Sequence, residues 1–218
     1  MPDSTVHPVR VPRTARVVTH GPPETAAAWW VVLHGYGQRA DDFARSCAPL
    51  AGTDRAVVAP EALSRFYVDG LESHEKVGAS WMTRADREAE IADYVGYLDR
   101  AVAQLRPDDT VPSIRVLGFS QGAATASRWA LLGDTAVERL VLWGGAPGHD
   151  LDLETHADRL AAMELTLVAG TDDPYLTPER RAAVRRQLAE HDVPVTVHTF
   201  DGGHRLDDAL LARLAESG

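Results

Sequence analysis

The segment Ile114-Arg115-Val116-Leu117-Gly118-Phe119-Ser120-Gln121-Gly122-Ala123-Ala124-Thr125-Ala126 constrains the fold more than any other in the chain. Its first part reads as a buried strand and its last part as an Ala-rich helix. Between them stands a Gly-x-Ser-x-Gly turn. A turn that sharp holds the central Ser in a strained backbone conformation with its Oγ at the tip, and side chains at positions 118 and 122 would collide across it. The following helix aims its N-terminus back at Ser120, where negative charge is favoured.

The remaining apolar pattern alternates in the same way. Strands are predicted at Val9–Val11, Ala15–Thr19, Trp29–Leu33, Ala56–Ala59, Ile114–Phe119, Leu140–Trp143, Leu165–Ala169 and Val195–Phe200. The later ones are short, continuous and rich in Val and Leu, as strands buried on both faces are. Helices are predicted between them. The clearest spans Arg84 to Leu105, where Ile91, Tyr94, Val95, Leu98, Val102 and Leu105 share one face, Thr83 and Asp86 resemble a capping box, and Pro107 ends the run. Others are expected over Asp41–Leu50, Gln121–Leu132, Thr177 to about His191 with Pro178 at its first position, and Arg205–Glu216. Such alternation gives an α/β fold, a mostly parallel, doubly wound sheet flanked by helices, with an antiparallel edge near Val9–Thr19. Residues 1–218 are expected to form one domain. Residues 61–81 lack a confident element and read as a lid or pocket-wall loop.

A doubly wound sheet binds its ligands outside the carboxyl ends of its strands. Beyond Ser120, two more strand ends carry chemistry: Gly170-Thr171-Asp172-Asp173-Pro174 and Phe200-Asp201-Gly202-Gly203-His204. A Ser hydroxyl is a weak nucleophile and needs a base, and the order Ser, acid, His is the one expected on this architecture. His204 would take the Ser120 proton and return it to the leaving group, with the acid orienting the imidazole. Asp172 and Asp173 compete for the acid position. Spacing from Gly170 and the stiffening Pro174 favour Asp173, with Asp172 capping the turn. Asp201 more naturally shapes its own turn. Of the nine histidines, His149 is the reserve candidate, lining the pocket mouth. A third strand end, Leu33-His34-Gly35-Tyr36-Gly37-Gln38, supplies a His-Gly turn, so the backbone amides of Tyr36 and Gln121 are the candidate oxyanion donors. His34 would brace that turn.

Composition narrows the alternatives. The 218 residues carry a net charge of −10 with one lysine, Lys76, a poor balance for a nucleic-acid binder. Single Cys47 excludes an intrachain disulfide and sits in a helical pattern as a packing residue. His-Glu-x-x-His and P-loop patterns are absent, so no metal and no cofactor is called for. The start, Met1-Pro2-Asp3, lacks a basic region and an apolar run, so the expected location is cytoplasmic without stable membrane association.

Together these motifs resemble the α/β-hydrolase superfamily and, more narrowly, the phospholipase/carboxylesterase family that includes acyl-protein thioesterases. Leu33-His34-Gly35-Tyr36-Gly37, Gly118-Phe119-Ser120-Gln121-Gly122, Gly170-Thr171-Asp172-Asp173-Pro174 and Gly203-His204 carry the likeness, which spans about Trp29 to the C-terminus. The chain departs from the family in having Ala123 where a further Gly is common, and Ser80-Trp81-Met82-Thr83 where a Trp-Phe-Asp segment is common. The resemblance implies an α/β-hydrolase fold with no large cap domain. It further implies a serine carboxylesterase acting through an acyl-enzyme on a small-molecule ester, and it allows a homodimer. Lysophospholipase or acyl-thioesterase activity is the enzymatic alternative, and a non-catalytic ligand binder on the same scaffold is the alternative of another class. Phe66, Trp81 and Leu176 are expected in the substrate pocket, where aromatic and aliphatic side chains suit an acyl or aryl group.

Overall fold

In the computed structural model of the chain, residues 4–70, 73–106 and 112–216 are described. Among the described residues, nine strands follow in order: β1 (Val17–His20), β2 (Ala28–Leu33), β3 (Arg55–Pro60), β4 (Ser64–Tyr67), β5 (Val77–Ser80), β6 (Ser113–Phe119), β7 (Arg139–Trp143), β8 (Glu164–Gly170) and β9 (Thr196–Phe200). Six α-helices accompany them: α1 (Ala40–Ser46), α2 (Arg87–Leu105), α3 (Gln121–Leu132), α4 (Leu153–Ala161), α5 (Pro178–Ala189) and α6 (Asp208–Glu216).

Seven strands form one sheet in the order β1-β3-β2-β6-β7-β8-β9. All neighbours pair parallel except β1 with β3. Alternate side chains of β2 feed two cores. Trp29, Val31 and Leu33 pack with residues of α2, α3, α4 and α5, whereas Trp30 and Val32 pack with residues of α1 and α6. Helices on both faces explain why β2 and, after Arg139, β7 are apolar: every residue of each is buried.

Several boundaries differ from the sequence expectation. Val9–Val11 forms no strand; both valines stand exposed, and the antiparallel edge is β1 alone. Residues 61–81 are not a plain loop, because β4 and β5 pair as an antiparallel hairpin within them. Helix α2 begins at Arg87, and it is Glu90 whose carboxylate accepts from the Thr83 amide (2.5 Å), in place of a Thr83–Asp86 box. Pro107 lies outside the described residues; Arg106, just before it, is extended, as residues preceding proline are. The predicted Asp41–Leu50 helix is broken at Cys47 into α1 and a 3-10 turn, Ala48–Leu50, that contains Pro49. Helix α6 starts at Asp208 instead of Arg205, with Asp207 Oδ1 accepting from the Leu210 amide. Helix α4 was not expected; Asp152 caps it, and Leu153 and Leu160 face the core.

Candidate active site

The elbow after β6 has the conformation its glycines require. Ser120 sits at φ 55°, ψ −116°, a region costly for a residue with a side chain. A Cβ on Gly118 would fall 2.1 Å from the Gly122 carbonyl oxygen, and one on Gly122 would fall 2.0 Å from the Leu33 oxygen. The two glycines therefore let β6, α3 and the end of β2 close on one another. The Ser120 amide donates to Trp143 O at 2.8 Å, tying the elbow to β7.

The ends of β8 and β9 bring acid and base together. His204 Nδ1 lies 2.9 Å from Asp173 Oδ2. The other carboxylate oxygen, Oδ1, accepts from the amides of Tyr175 (2.8 Å) and Leu176 (3.0 Å). Asp173 is only 4% exposed. Burial alone would push its carboxyl up, but the His204 hydrogen bond and the two amides outweigh it and hold the carboxyl below the usual range. With Nδ1 facing the acid, Nε2 is the ring nitrogen left for another partner. The imidazole packs against two aromatic rings, Phe119 at 4.7 Å and Tyr175 at 4.6 Å between centroids. Asp172 is exposed and uses its amide to bond Gly202 O at 2.9 Å, and exposed Asp201 accepts from Arg205 through its carbonyl. His149 is exposed on the loop after β7.

The His34–Gly35 turn is brought against Ser120: a Cβ on Gly35 would lie 3.3 Å from Ser120 Cβ. His34 is fully buried. Its Nε2 accepts from the Ala62 amide (3.1 Å), which assigns the proton to Nδ1, donating to Gly35 O (2.8 Å). Burial lowers its pKa from 6.5 and keeps the ring neutral. Nearby, the Glu61 carboxylate is buried and ion-paired with Arg39 (2.9 Å) and Arg65 (2.7 Å). The amides of Tyr36 and Gln121 flank this turn and the elbow, and neither donates to another group among the described residues.

Gln121 has a second use that the sequence did not reveal. Its side-chain oxygen accepts from the Trp81 amide (3.1 Å), and its nitrogen donates to Met82 O (3.0 Å). The residue after Ser120 thus clamps the segment that follows β5. The three expected pocket residues separate. Phe66 is half-buried, with its ring 5.1 Å from that of Tyr36. Trp81 is 3% exposed; its indole donates to His34 O (2.8 Å), and its ring packs on His34. It braces the turn. Leu176 is likewise buried, behind the carboxylate its amide binds. Among the described residues no group of three His, Cys, Asp or Glu could hold a metal, and no helix is long and apolar enough to cross a membrane.

Comparison with known proteins identifies the family and the fold. A family model described as serine hydrolase (FSH1) matches residues 28–207. Zea mays acyl-protein thioesterase 2 is similar in structure, with TM-score 0.74, 18% identity, and coverage of 93% of this chain and 97% of that one. A carboxylesterase from Mesorhizobium loti gives TM-score 0.71 at 19% identity, covering 94% of each chain. The Bacillus cereus carboxylesterase gives 0.67 at 19% identity, covering 93% of this chain and 92% of that one. These likenesses establish the α/β-hydrolase fold without a large cap. No curated protein sequence matches significantly.

Proposed function

The chain belongs to the serine hydrolase (FSH1) family, and on that premise we propose that it is a carboxylesterase cleaving esters of small to medium acyl groups through an acyl-enzyme. The observation that carries this reading is the 2.9 Å pair of His204 and buried Asp173, with His204 packed on the ring of Phe119, the residue before a Ser120 held at positive φ. Ser120 Oγ attacks the ester carbonyl carbon while its proton passes to His204 Nε2. Asp173 fixes the ring and stabilises the imidazolium. The oxyanion accepts from the amides of Tyr36 and Gln121; losing one such donor typically raises the barrier by about 2.7–4 kcal/mol. The carbon–oxygen bond to the leaving group breaks as His204 returns the proton to it. Water, deprotonated by His204, then releases the acid and restores Ser120. In this reading side chains and backbone amides suffice for every step.

A thioester substrate is the second reading, and the likeness to the maize acyl-protein thioesterase supports it. The test needs no guess of substrate. A fluorophosphonate probe should add once, on Ser120, and the adduct should be lost in Ser120→Ala and His204→Ala variants that keep the wild-type circular dichroism. Labelling elsewhere, or an unlabelled folded wild type, would overturn the proposal. A matched set of butyryl oxygen esters and thioesters then separates the two readings by kcat/KM.

A further inference from the structure

We propose that the groove between α1 and the segment carrying His204 receives the leaving-group half of the substrate, and that it takes a hydroxyl-bearing alcohol or thiol without negative charge. This rests on the acyl-enzyme reading above. The groove has a volume of about 850 Å³. Its walls include Gln38, Phe43, Ser46, Phe119, His204 and Leu206. Helix α1 supplies one bank and residues 204–208 the other.

Proton bookkeeping selects which half of the substrate lies there. During acylation the proton taken from Ser120 passes through His204 to the departing oxygen or sulfur. That atom must lie within hydrogen-bond reach of the imidazole, and the atoms behind it must continue on the same side. His204 itself lines the groove. The carbonyl oxygen turns the other way, toward the Tyr36 and Gln121 amides, and neither Phe66 nor Leu176 borders the groove.

The charges along it define the chemistry. Asp42, Arg45, Arg205 and Asp208 border the groove. Both guanidinium groups are engaged. Arg45 is bonded to Asp42. Arg205 donates to Leu206 O (2.9 Å) and Asp201 O (3.0 Å), pairs with Asp207, and stacks 5.1 Å over the Phe200 ring. An anionic leaving group would find no unengaged cation and would meet two carboxylates. What remains available is the exposed Asp208 carboxylate, an acceptor with no hydrogen bond among the described residues. The Gln38 side-chain nitrogen is the matching donor, since its oxygen is held by the Gly35 amide at 2.7 Å. A hydroxyl both donates and accepts, and a short carbon skeleton suits the Phe43, Phe119 and Leu206 surfaces between those groups.

The test compares glyceryl and ethyl butyrate, which share an acyl group, with a series of ethyl esters from acetate to octanoate. The wild type should prefer the glyceryl ester. Ser46→Trp, at an exposed position on α1, should lower the glyceryl-to-ethyl ratio of kcat/KM at least tenfold and keep the order of preference along the acyl series. Asp208→Asn, milder and also at an exposed position, should lower the ratio about threefold and serves if the Trp variant misfolds. A ratio unchanged within twofold in both variants overturns the proposal. So does a reordered acyl series, which would put the acyl half in the groove. Intact mass of wild type quenched during turnover of p-nitrophenyl butyrate keeps the two levels apart. A butyryl adduct on Ser120 with an unchanged ratio rejects the groove assignment alone. If rapid quenching finds no butyryl adduct, and the fluorophosphonate probe also leaves Ser120 unlabelled, the acyl-enzyme reading falls as well.

Discussion

The His204 imidazole occupies the space that a side chain at Gly144 would fill. A Cβ there would lie 2.8 Å from His204 Cε1, 2.9 Å from Nδ1 and 3.2 Å from Asp173 Oδ2. Gly144 also has φ +60°, so an added side chain is strained whatever the space. Gly144→Ala should displace the imidazole from Asp173, and a displacement of about 1 Å is enough to cost ~10²-fold in kcat. Steady-state kinetics on a variant with wild-type circular dichroism would check this. Activity within threefold of wild type would show that the pair tolerates movement.

Burial holds His34 neutral, and the sign of its effect on stability follows. Its folded pKa is below the 6.5 of an exposed imidazole, so the unfolded chain takes up the proton first as pH falls. The stabilisation is complete above about 6.5 and is lost as pH falls toward the folded value. Urea unfolding between pH 8 and pH 5 should show a falling midpoint. His34→Gln, which has no such proton to take up, should show a shallower fall over that window.

Glu61→Gln removes the charge that Arg39 and Arg65 share. The carboxylate is fully buried, whereas both arginine side chains reach solvent. The expected loss therefore sits at the low end for a broken buried pair, about 3 kcal/mol. Chemical denaturation measures it, and a change below 1 kcal/mol would mean that solvent already screens the network.

Trp81 separates a bracing role from a substrate role. Trp81→Phe keeps a ring against His34 but drops the indole hydrogen bond to its carbonyl, a loss of about 1 kcal/mol. Trp81→Ala should cost about 3–5 kcal/mol. Neither should change the order of preference among acyl chain lengths. A reordered chain-length profile in the Phe variant would return Trp81 to the pocket wall.

The layered sheet was legible because its strands are buried on both faces and read as unbroken apolar runs, as in Leu140–Trp143. The order of Ser120, Asp173 and His204 was legible because each follows a strand end. The β4–β5 hairpin was not. Val77-Gly78-Ala79-Ser80 has little intrinsic strand preference, and distant partners hold it extended: the Gly37 amide donates to Ala79 O, and the Ala79 amide donates to Gln38 O. The use of Gly144 was hidden for a similar reason, since the residue that fills its space is sixty positions away. The side-chain clamp of Gln121 and the ion pairs of Glu61 are likewise long-range. Helix α4 did leave a signal, a capping Asp152 with Leu153 and Leu160 seven apart on one face.

The backbone of Ser120 has a further consequence. At φ 55°, ψ −116° it adopts a conformation that glycine enters with less steric penalty. Ser120→Gly should relieve that strain and raise the melting temperature, while deleting the hydroxyl on which the proposed chemistry depends. Selection for thermal robustness alone would therefore push this position toward an inert protein.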